Sequence, residues 1–182
     1  MNEKILVFLA NGLEEIEAIT SIDILRRAGL DVTTAALEDK TVHGSHDVDI
    51  IADDELDSLV VSDFDGIVLP GGLPGSTNLR DDERVIDIVK KMDNKNKLVA
   101  AICAAPMVLA KAGVLEDSKF TIHPGVEDEI ELKSSGERTF VHDNVITGIA
   151  SGAAMEFAFK IVEKLSGREK VDEINQGVIA EL

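Results

Sequence analysis

The fold of this chain is decided by residues 97–110, which read KLVAAICAAPMVLA and include its one cysteine, Cys103. Before the cysteine the run is short, continuous and apolar, which is typical of a parallel strand covered on both faces. After it, apolar residues recur with helical spacing as far as Gly113. The stretch therefore predicts a strand, a tight turn at Cys103 and a helix that ends near Gly113.

Strand and helix patterns alternate along the rest of the chain. In order, these are a strand at 5–10, a helix at 14–28 closed by Gly29, a strand at 30–37, a hairpin at 41–51, a strand at 64–69, a glycine-rich turn at 70–75, a polar helix at 77–92, a short strand at 120–124, a hairpin of 140–142 with 145–147, a helix at 152–165 and a last weak helix from Arg168. This alternation predicts the α/β class, with an open, mostly parallel sheet and helices on both faces. Ligands of such sheets bind outside the carboxyl ends of the strands.

Length and composition narrow the class of protein. A chain of 182 residues can bury one substantial core, so we predict a single domain over residues 1–182. Acidic residues outnumber basic ones by 35 to 18, and the net charge of -17 disfavours nucleic acid and anionic membrane surfaces as partners. The apolar run at 5–10 is too short to span a membrane and lacks a secretory cleavage site, and a lone cysteine cannot form an intramolecular disulfide. These features predict a cytoplasmic protein.

Three chemically suggestive features fall at predicted carboxyl ends of strands: the turn at 12–17, the pair Gly71-Gly72, and Cys103. A thiol at a helix N-terminus is favoured as the thiolate, which is the nucleophilic form. The alternative is a buried cysteine that acts only as a small hydrophobe. The glycine pair is either a plain turn or a source of a backbone N–H that, with the N–H of Ala104, would hold a developing oxyanion.

Glu17 and the histidines are the candidate acid/base groups. Glu17 is either a solvated carboxylate in the first turn of a helix or a carboxyl buried against the thiol, where it would be protonated and would donate to sulfur. The histidines are His43, His46, His123 and His142. Their scatter matches no zinc spacing, so no metal site is predicted. His123 follows a predicted strand and is either an acid/base partner of Cys103 or a structural imidazole.

The motifs together resemble those of the ThiJ/PfpI superfamily. They are GLEEIE at 12–17, LPGG at 69–72, AICAAP at 101–106, TIHP at 121–124 and EFA at 156–158. Within that superfamily the sequence is most similar to the branch of the parkinsonism-associated protein deglycase and its bacterial relatives. The resemblance covers nearly the full chain and implies a flavodoxin-like three-layer sandwich with a mostly parallel sheet, similar to class I glutaminase domains and usually homodimeric.

The resemblance also assigns roles to residues of this chain. It implies that Cys103 is an oxidation-prone nucleophile and that Glu17 is its protonated partner, with His123 nearby. The backbone of Gly72, next to Gly71, and that of Ala104 would bind the oxyanion. No cofactor is implied. Arg27 and His46 lie where relatives place interface groups near the active site, although an arginine is common at the second position.

Two classes of function follow from these observations. The first is a cofactor-free glyoxalase or deglycase that acts on small dicarbonyls, such as methylglyoxal and glyoxal, or on glycated protein. The second is a redox-responsive chaperone or stress sensor that uses oxidation of Cys103. A peptidase is disfavoured because Ala104 stands where the protease-like branch has histidine. An amidotransferase is disfavoured because Pro124 and Gly125 follow His123, where a His-x-Glu pair would be required.

Overall fold

A seven-stranded sheet forms the centre of the computed structural model, which describes residues 2–180. Its strands are β1 (Lys4–Leu9), β2 (Asp31–Ala36), β5 (Asp54–Glu55), β6 (Gly66–Leu69), β7 (Leu98–Ile102), β8 (Thr139–His142) and β9 (Val145–Gly148). They are ordered β5-β2-β1-β6-β7-β9-β8, and every pair is parallel except β8 with β9. Strands β3 (Thr41–His43) and β4 (Asp49–Ile51) form a separate antiparallel hairpin. The predicted α/β class and mostly parallel sheet are confirmed.

Helices cover both faces of this sheet. They are α1 (Glu15–Arg27), α2 (Gly75–Asp81), α3 (Glu83–Asn94), α4 (Pro106–Ala112), α5 (Ala154–Ser166) and α6 (Arg168–Val178). One apolar core joins the sheet to α1, α5 and α6, and includes Leu25, Phe157 and Ile174. A second core joins the opposite face to α3 and α4, and includes Val89 and Met107. The result is the three-layer sandwich that the resemblance implied.

The central strand β7 is fully buried, as its uninterrupted apolar sequence predicts. It lies between β6 and β9, and both run parallel to it. The carboxyl ends of these two strands therefore flank the carboxyl end of β7. Within the described residues, no helix combines the length and the apolar character that a membrane crossing needs.

The polar segment predicted as one helix at 77–92 is two helices, α2 and α3, which meet at Asp82. This residue has an extended backbone, with ψ of 110°, and its side chain accepts a hydrogen bond from the backbone N–H of Arg84 at 2.9 Å. An aspartate that caps the following helix stabilises a break in an otherwise helical pattern. The prediction of a single helix was therefore wrong.

The short strand predicted at 120–124 is absent, and this stretch has an irregular backbone up to His123. The backbone N–H of Thr121 donates to the side-chain Oγ1 of Thr147 at 2.8 Å, and the Thr121 hydroxyl donates to the Glu137 carbonyl at 2.7 Å. The position beside β7 that the predicted strand would occupy is taken by β9. The apolar residues Phe120 and Ile122 are buried all the same, which explains their strand-like pattern.

Candidate active site

The three turns singled out in the sequence meet at the carboxyl edge of the sheet, because β1, β6 and β7 are neighbours there. The backbone N–H of Glu14 donates to the carbonyl of Gly71 at 2.9 Å. In return, the N–H of Gly71 donates to Oε2 of Glu17 at 2.8 Å. The turn after β1 and the turn after β6 are thus bonded to each other beside the corner that holds Cys103.

Cys103 itself occupies a sharp corner after β7, with a positive φ of 64°. Its N–H donates to the carbonyl of Gly148 at 2.8 Å, and its carbonyl accepts from the N–H of His123 at 2.8 Å. A non-glycine residue in this region carries strain of about 1–3 kcal/mol, which persists only where the surroundings fix it. Because α4 begins only at Pro106, the thiol stands before the helix and not on its first turn.

The glycines at 71 and 72 are required by close approach. A Cβ on Gly71 would lie 2.6 Å from the Cβ of Cys103 and 2.5 Å from Oε2 of Glu17. A Cβ on Gly72, whose φ is +90°, would lie 2.3 Å from the backbone nitrogen of Glu14. Neither position can accept a side chain without moving the backbone, so the pair is more than a plain turn.

Glu17 is fully buried although it lies in the first turn of α1. Its Oε1 accepts a hydrogen bond from the hydroxyl of Ser151 at 2.8 Å, while Oε2 accepts from Gly71. Burial raises the pKa of Glu17, and hydrogen bonds from Ser151, Cys103 and Gly71 act against that rise. The interpretation of Glu17 as a solvated carboxylate is therefore wrong. The carboxyl is buried as the alternative required, and its protonation and its donation to sulfur stay predictions.

Sequence analysis missed Ser151. Residues 150–154, which read ASGAA, form a small-residue run shortly after β9, and this run reaches the site only because β9 lies beside β7. A small polar residue just after a strand was the available signal. The strand order that gives this signal meaning cannot be read from the local pattern.

The thiol of Cys103 is partly exposed. Several neighbouring groups shift its pKa, and they act in opposite directions. Burial raises the pKa of the Cys103 thiol to about 12, and the charge of Glu17 beside it acts in the same direction. The backbone N–H groups of Gly72 and Ala104 bond to the sulfur and lower the pKa. An ionised Glu17 thus disfavours the thiolate, and a protonated Glu17 removes that repulsion. The predicted thiolate therefore depends on a protonated Glu17, and both stay predictions.

His123 lies at the edge of the site, with an exposed side chain. Its backbone bonds to Cys103, as described, and its ring Nδ1 accepts from the N–H of Gly125 at 3.0 Å. In the neutral ring this contact leaves the proton on Nε2. The imidazole thus forms a hydrogen bond within its own turn. Its role as an acid/base partner of Cys103 stays a prediction.

A second polar cluster adjoins the start of α1. His46 Nδ1 lies 3.0 Å from Oε2 of Glu15 and 3.5 Å from Oε2 of Glu14. Burial opposes the charge on Glu15, but hydrogen bonds from backbone N–H groups and from His46 outweigh it and lower the pKa of Glu15 to about 2. The same hydrogen bond raises the pKa of His46. Arg27 lies apart from this cluster, in an ion pair with Asp23 at 2.7 Å.

These three side chains are the group that could hold a metal ion among the described residues. One ligand atom from each of Glu14, Glu15 and His46 lies within 4.8 Å of the others. The sequence predicted no metal site, because the scatter of the four histidines matches no zinc spacing. In the structure Nδ1 of His46 lies within 4.0 Å of both carboxylates, and a protonated His46 would form ion pairs with them.

Known proteins are similar to this chain over most of its length, both in sequence and in structure. A model described as the DJ-1/PfpI family matches residues 3–164. Protein dj-1beta of Drosophila melanogaster is 42% identical over 98% of this chain and 98% of that protein. The crystal structure of Drosophila melanogaster DJ-1beta matches with a TM-score of 0.92 and 42% identity, and covers 98% of each chain. A Caenorhabditis elegans protein named glutathione-independent glyoxalase DJR-1.2 is 35% identical over 88% of this chain and 87% of its own length.

Proposed function

Because this chain belongs to the DJ-1/PfpI family, we propose that it is a cysteine-dependent, cofactor-free glyoxalase or deglycase. Its substrates would be reactive dicarbonyls such as methylglyoxal and glyoxal, or their early adducts on protein. The observation that carries the proposal is the full burial of Glu17 on the same side of Gly71 as Cys103, where its Oε2 and the Cβ of Cys103 would both touch a Cβ on that glycine. The glyoxalase name of the related Caenorhabditis elegans protein supports the same chemistry.

The first step is addition of the Cys103 sulfur to the aldehyde carbon. The thiolate forms an S–C bond, and the carbonyl electrons move to oxygen, which takes the proton held by Glu17. The N–H groups of Gly72 and Ala104 bond to the sulfur before the reaction. As negative charge moves from sulfur to oxygen, these donors stabilise the new alkoxide. The product is a hemithioacetal beside an ionised Glu17.

The second step moves a hydrogen between the two carbons. The Glu17 carboxylate removes the proton from the former aldehyde carbon, and a C=C bond forms as the ketone electrons move to oxygen. The hydroxyl proton passes from the first oxygen to the second, and Glu17 returns its proton to the second carbon. This gives a 2-hydroxy thioester on Cys103. The first carbon is oxidised and the second is reduced, so the rearrangement needs no external electron acceptor.

Hydrolysis completes the cycle. Water attacks the thioester, the S–C bond breaks, and a 2-hydroxy acid leaves while the shared proton returns to the pair of Cys103 and Glu17. Lactate formation from methylglyoxal, measured without glutathione, tests the proposal. A purified protein that forms lactate at the rate of buffer alone contradicts it.

We also propose that the chain forms a homodimer through one exposed apolar face. The side chains of this face lie on α1 and on the adjoining β3–β4 hairpin, and they are Ile16, Ile19, Val48 and Ile51. Bonds between Glu15 and His46 hold the hairpin against the start of α1, which is also where Ile16 and Ile19 lie. Clustered exposed apolar residues are typical of protein interfaces. Sedimentation should give a dimer for the native protein and a monomer for Ile19→Asp, and a native monomer contradicts the proposal.

A redox-responsive chaperone is a second candidate function. It is favoured by the two backbone N–H groups that bond to a partly exposed sulfur, since the same donors suit the oxygens of a sulfinate. Mild peroxide should add two oxygens to Cys103, seen by mass spectrometry, and the oxidised protein should suppress client aggregation differently from the reduced protein. Equal suppression by both forms counts against this function.

A further inference from the structure

Two carboxylates and one imidazole converge between the start of α1 and the turn of the β3–β4 hairpin. Nδ1 of His46 lies 3.0 Å from Oε2 of Glu15 and 3.5 Å from Oε2 of Glu14. Ligand atoms about 2.0–2.2 Å from a tetrahedral zinc ion are about 3.3–3.6 Å from one another. The two separations measured from His46 are therefore close to those that a shared zinc ion would impose.

The negative charge of this cluster exceeds the positive charge beside it. The side chains of Glu14 and Glu15 are only 15% and 10% exposed. Within the part of the chain that the structure describes, His46 is the one basic group that lies within 4.0 Å of either carboxylate. Even a protonated His46 therefore leaves one net negative charge at a largely buried position, which is unfavourable without a further cation. A divalent ion on two carboxylates and a neutral imidazole leaves no net charge.

Backbone contacts hold the cluster in place without a metal ion. The N–H of Ser45 donates to the carbonyl of Leu13 at 2.8 Å, and so joins the hairpin turn to the segment before α1. Oε1 of Glu15 accepts from the N–H of His46 at 2.6 Å, and Oε2 is left to face the imidazole. A Cβ on Gly44 would lie 2.2 Å from Oε1 of Glu15, so glycine is needed there to leave room for the carboxylate. Ligating carboxylates that are themselves hydrogen-bonded are typical of metal sites.

We propose that Glu14, Glu15 and His46 bind a zinc ion through Oε2 of each glutamate and Nδ1 of the imidazole. One nitrogen and two oxygen ligands suit zinc and related transition ions, whereas magnesium prefers oxygen ligands and keeps several waters. Three protein ligands leave the fourth position of a tetrahedral site open to water. The bound ion ties the hairpin to α1. It lies outside the proposed function, whose steps involve no metal.

Isothermal titration of the untagged protein with zinc near neutral pH tests this site. The titration is made in the Cys103→Ala protein, because a thiol is itself a zinc ligand and this chain has no other cysteine. One zinc ion should bind per chain, and an equal concentration of magnesium should not displace it.

Variants of the ligands separate a zinc site from a merely acidic surface. His46→Arg keeps a positive charge beside the carboxylates but has no lone pair for a metal. It should weaken zinc binding by about 100-fold or more, because outer partners of a metal site alone are worth about 10–100-fold. Glu14→Gln should weaken binding by about tenfold or more. His43→Ala removes another exposed histidine of the same hairpin, which is bonded to Asp49, and as the matched control it should bind zinc normally.

Thermal melts and NMR spectra give a second readout. Saturating zinc should raise the Tm of the Cys103→Ala protein and leave that of the same protein with His46→Arg unchanged, because a ligand that binds the folded state stabilises it. Zinc should also shift the ring signals of His46 and leave those of His123 and His142 unchanged. Absence of zinc binding overturns the inference. So does binding that is equally tight with His46→Arg, or displacement of zinc by an equal concentration of magnesium. Since lactate formation enters none of these measurements, the zinc site and the proposed function can fail separately.

Discussion

Replacing Cys103 by alanine is expected to reduce lactate formation from methylglyoxal to the rate of buffer alone. The expected loss is on the order of 10³-fold or more, because the proposed mechanism passes through a covalent bond to this sulfur. No second cysteine exists in the chain to replace it. Lactate is measured directly, in the absence of glutathione and with the amount of free dicarbonyl controlled by a scavenger.

The Cys103→Ala protein should fold as the native protein does. Alanine is smaller than cysteine, and the backbone bonds of this corner to Gly148 and His123 do not involve the side chain. A thermal melt close to that of the native protein is the control. If the alanine variant keeps full activity on scavenged substrate, the covalent mechanism is wrong.

Replacing Glu17 by glutamine is expected to lower kcat by about 10²–10⁴-fold, the usual contribution of a general acid/base group. Glutamine has nearly the same shape: its oxygen can accept from the N–H of Gly71 and its NH2 can donate to the hydroxyl of Ser151. It cannot carry a proton from one carbon to the other. The sulfur itself should stay reactive. Cys103 should therefore still react with iodoacetamide while lactate formation falls, which separates loss of the nucleophile from loss of proton transfer.

Glu169→Gln is the matched control for this substitution, because Glu169 is an exposed carboxylate in the first turn of α6 and is not among the residues of the site. It should have native activity. Turnover by Glu17→Gln at the native rate would show that another group moves the proton, and His123 would then be the next candidate to test.

The sequence predicted the fold largely through the stretch around Cys103 and through the strands before it. A continuous apolar strand that runs into a helical pattern has few alternatives in an α/β protein, and β7, the corner and α4 lie where the pattern indicates. The resemblance to the ThiJ/PfpI superfamily is confirmed by the family match. The single-domain assignment over residues 1–182 stays a prediction.

The errors share one physical cause, which is that local patterns do not contain tertiary partners. Asp82 breaks a helix because it caps the next one, and the apolar residues at 120–122 are buried without joining the sheet. The burial of Glu17 depends on Gly71 and Ser151, which are 54 and 134 residues away. No periodicity in α1 distinguishes such a carboxylate from a solvated one.

The left-handed backbone of Cys103 limits which residues position 103 can hold without strain. Glycine is the residue best suited to a φ of 64°, and it would relieve the strain by about 1 kcal/mol or more. Random substitution that is screened only for thermal stability should therefore drift toward glycine here and lose the thiol. If the proposed function is correct, a screen for activity should instead keep cysteine at this corner. Comparing the residues that the two screens recover at position 103 would separate selection for folding from selection for chemistry.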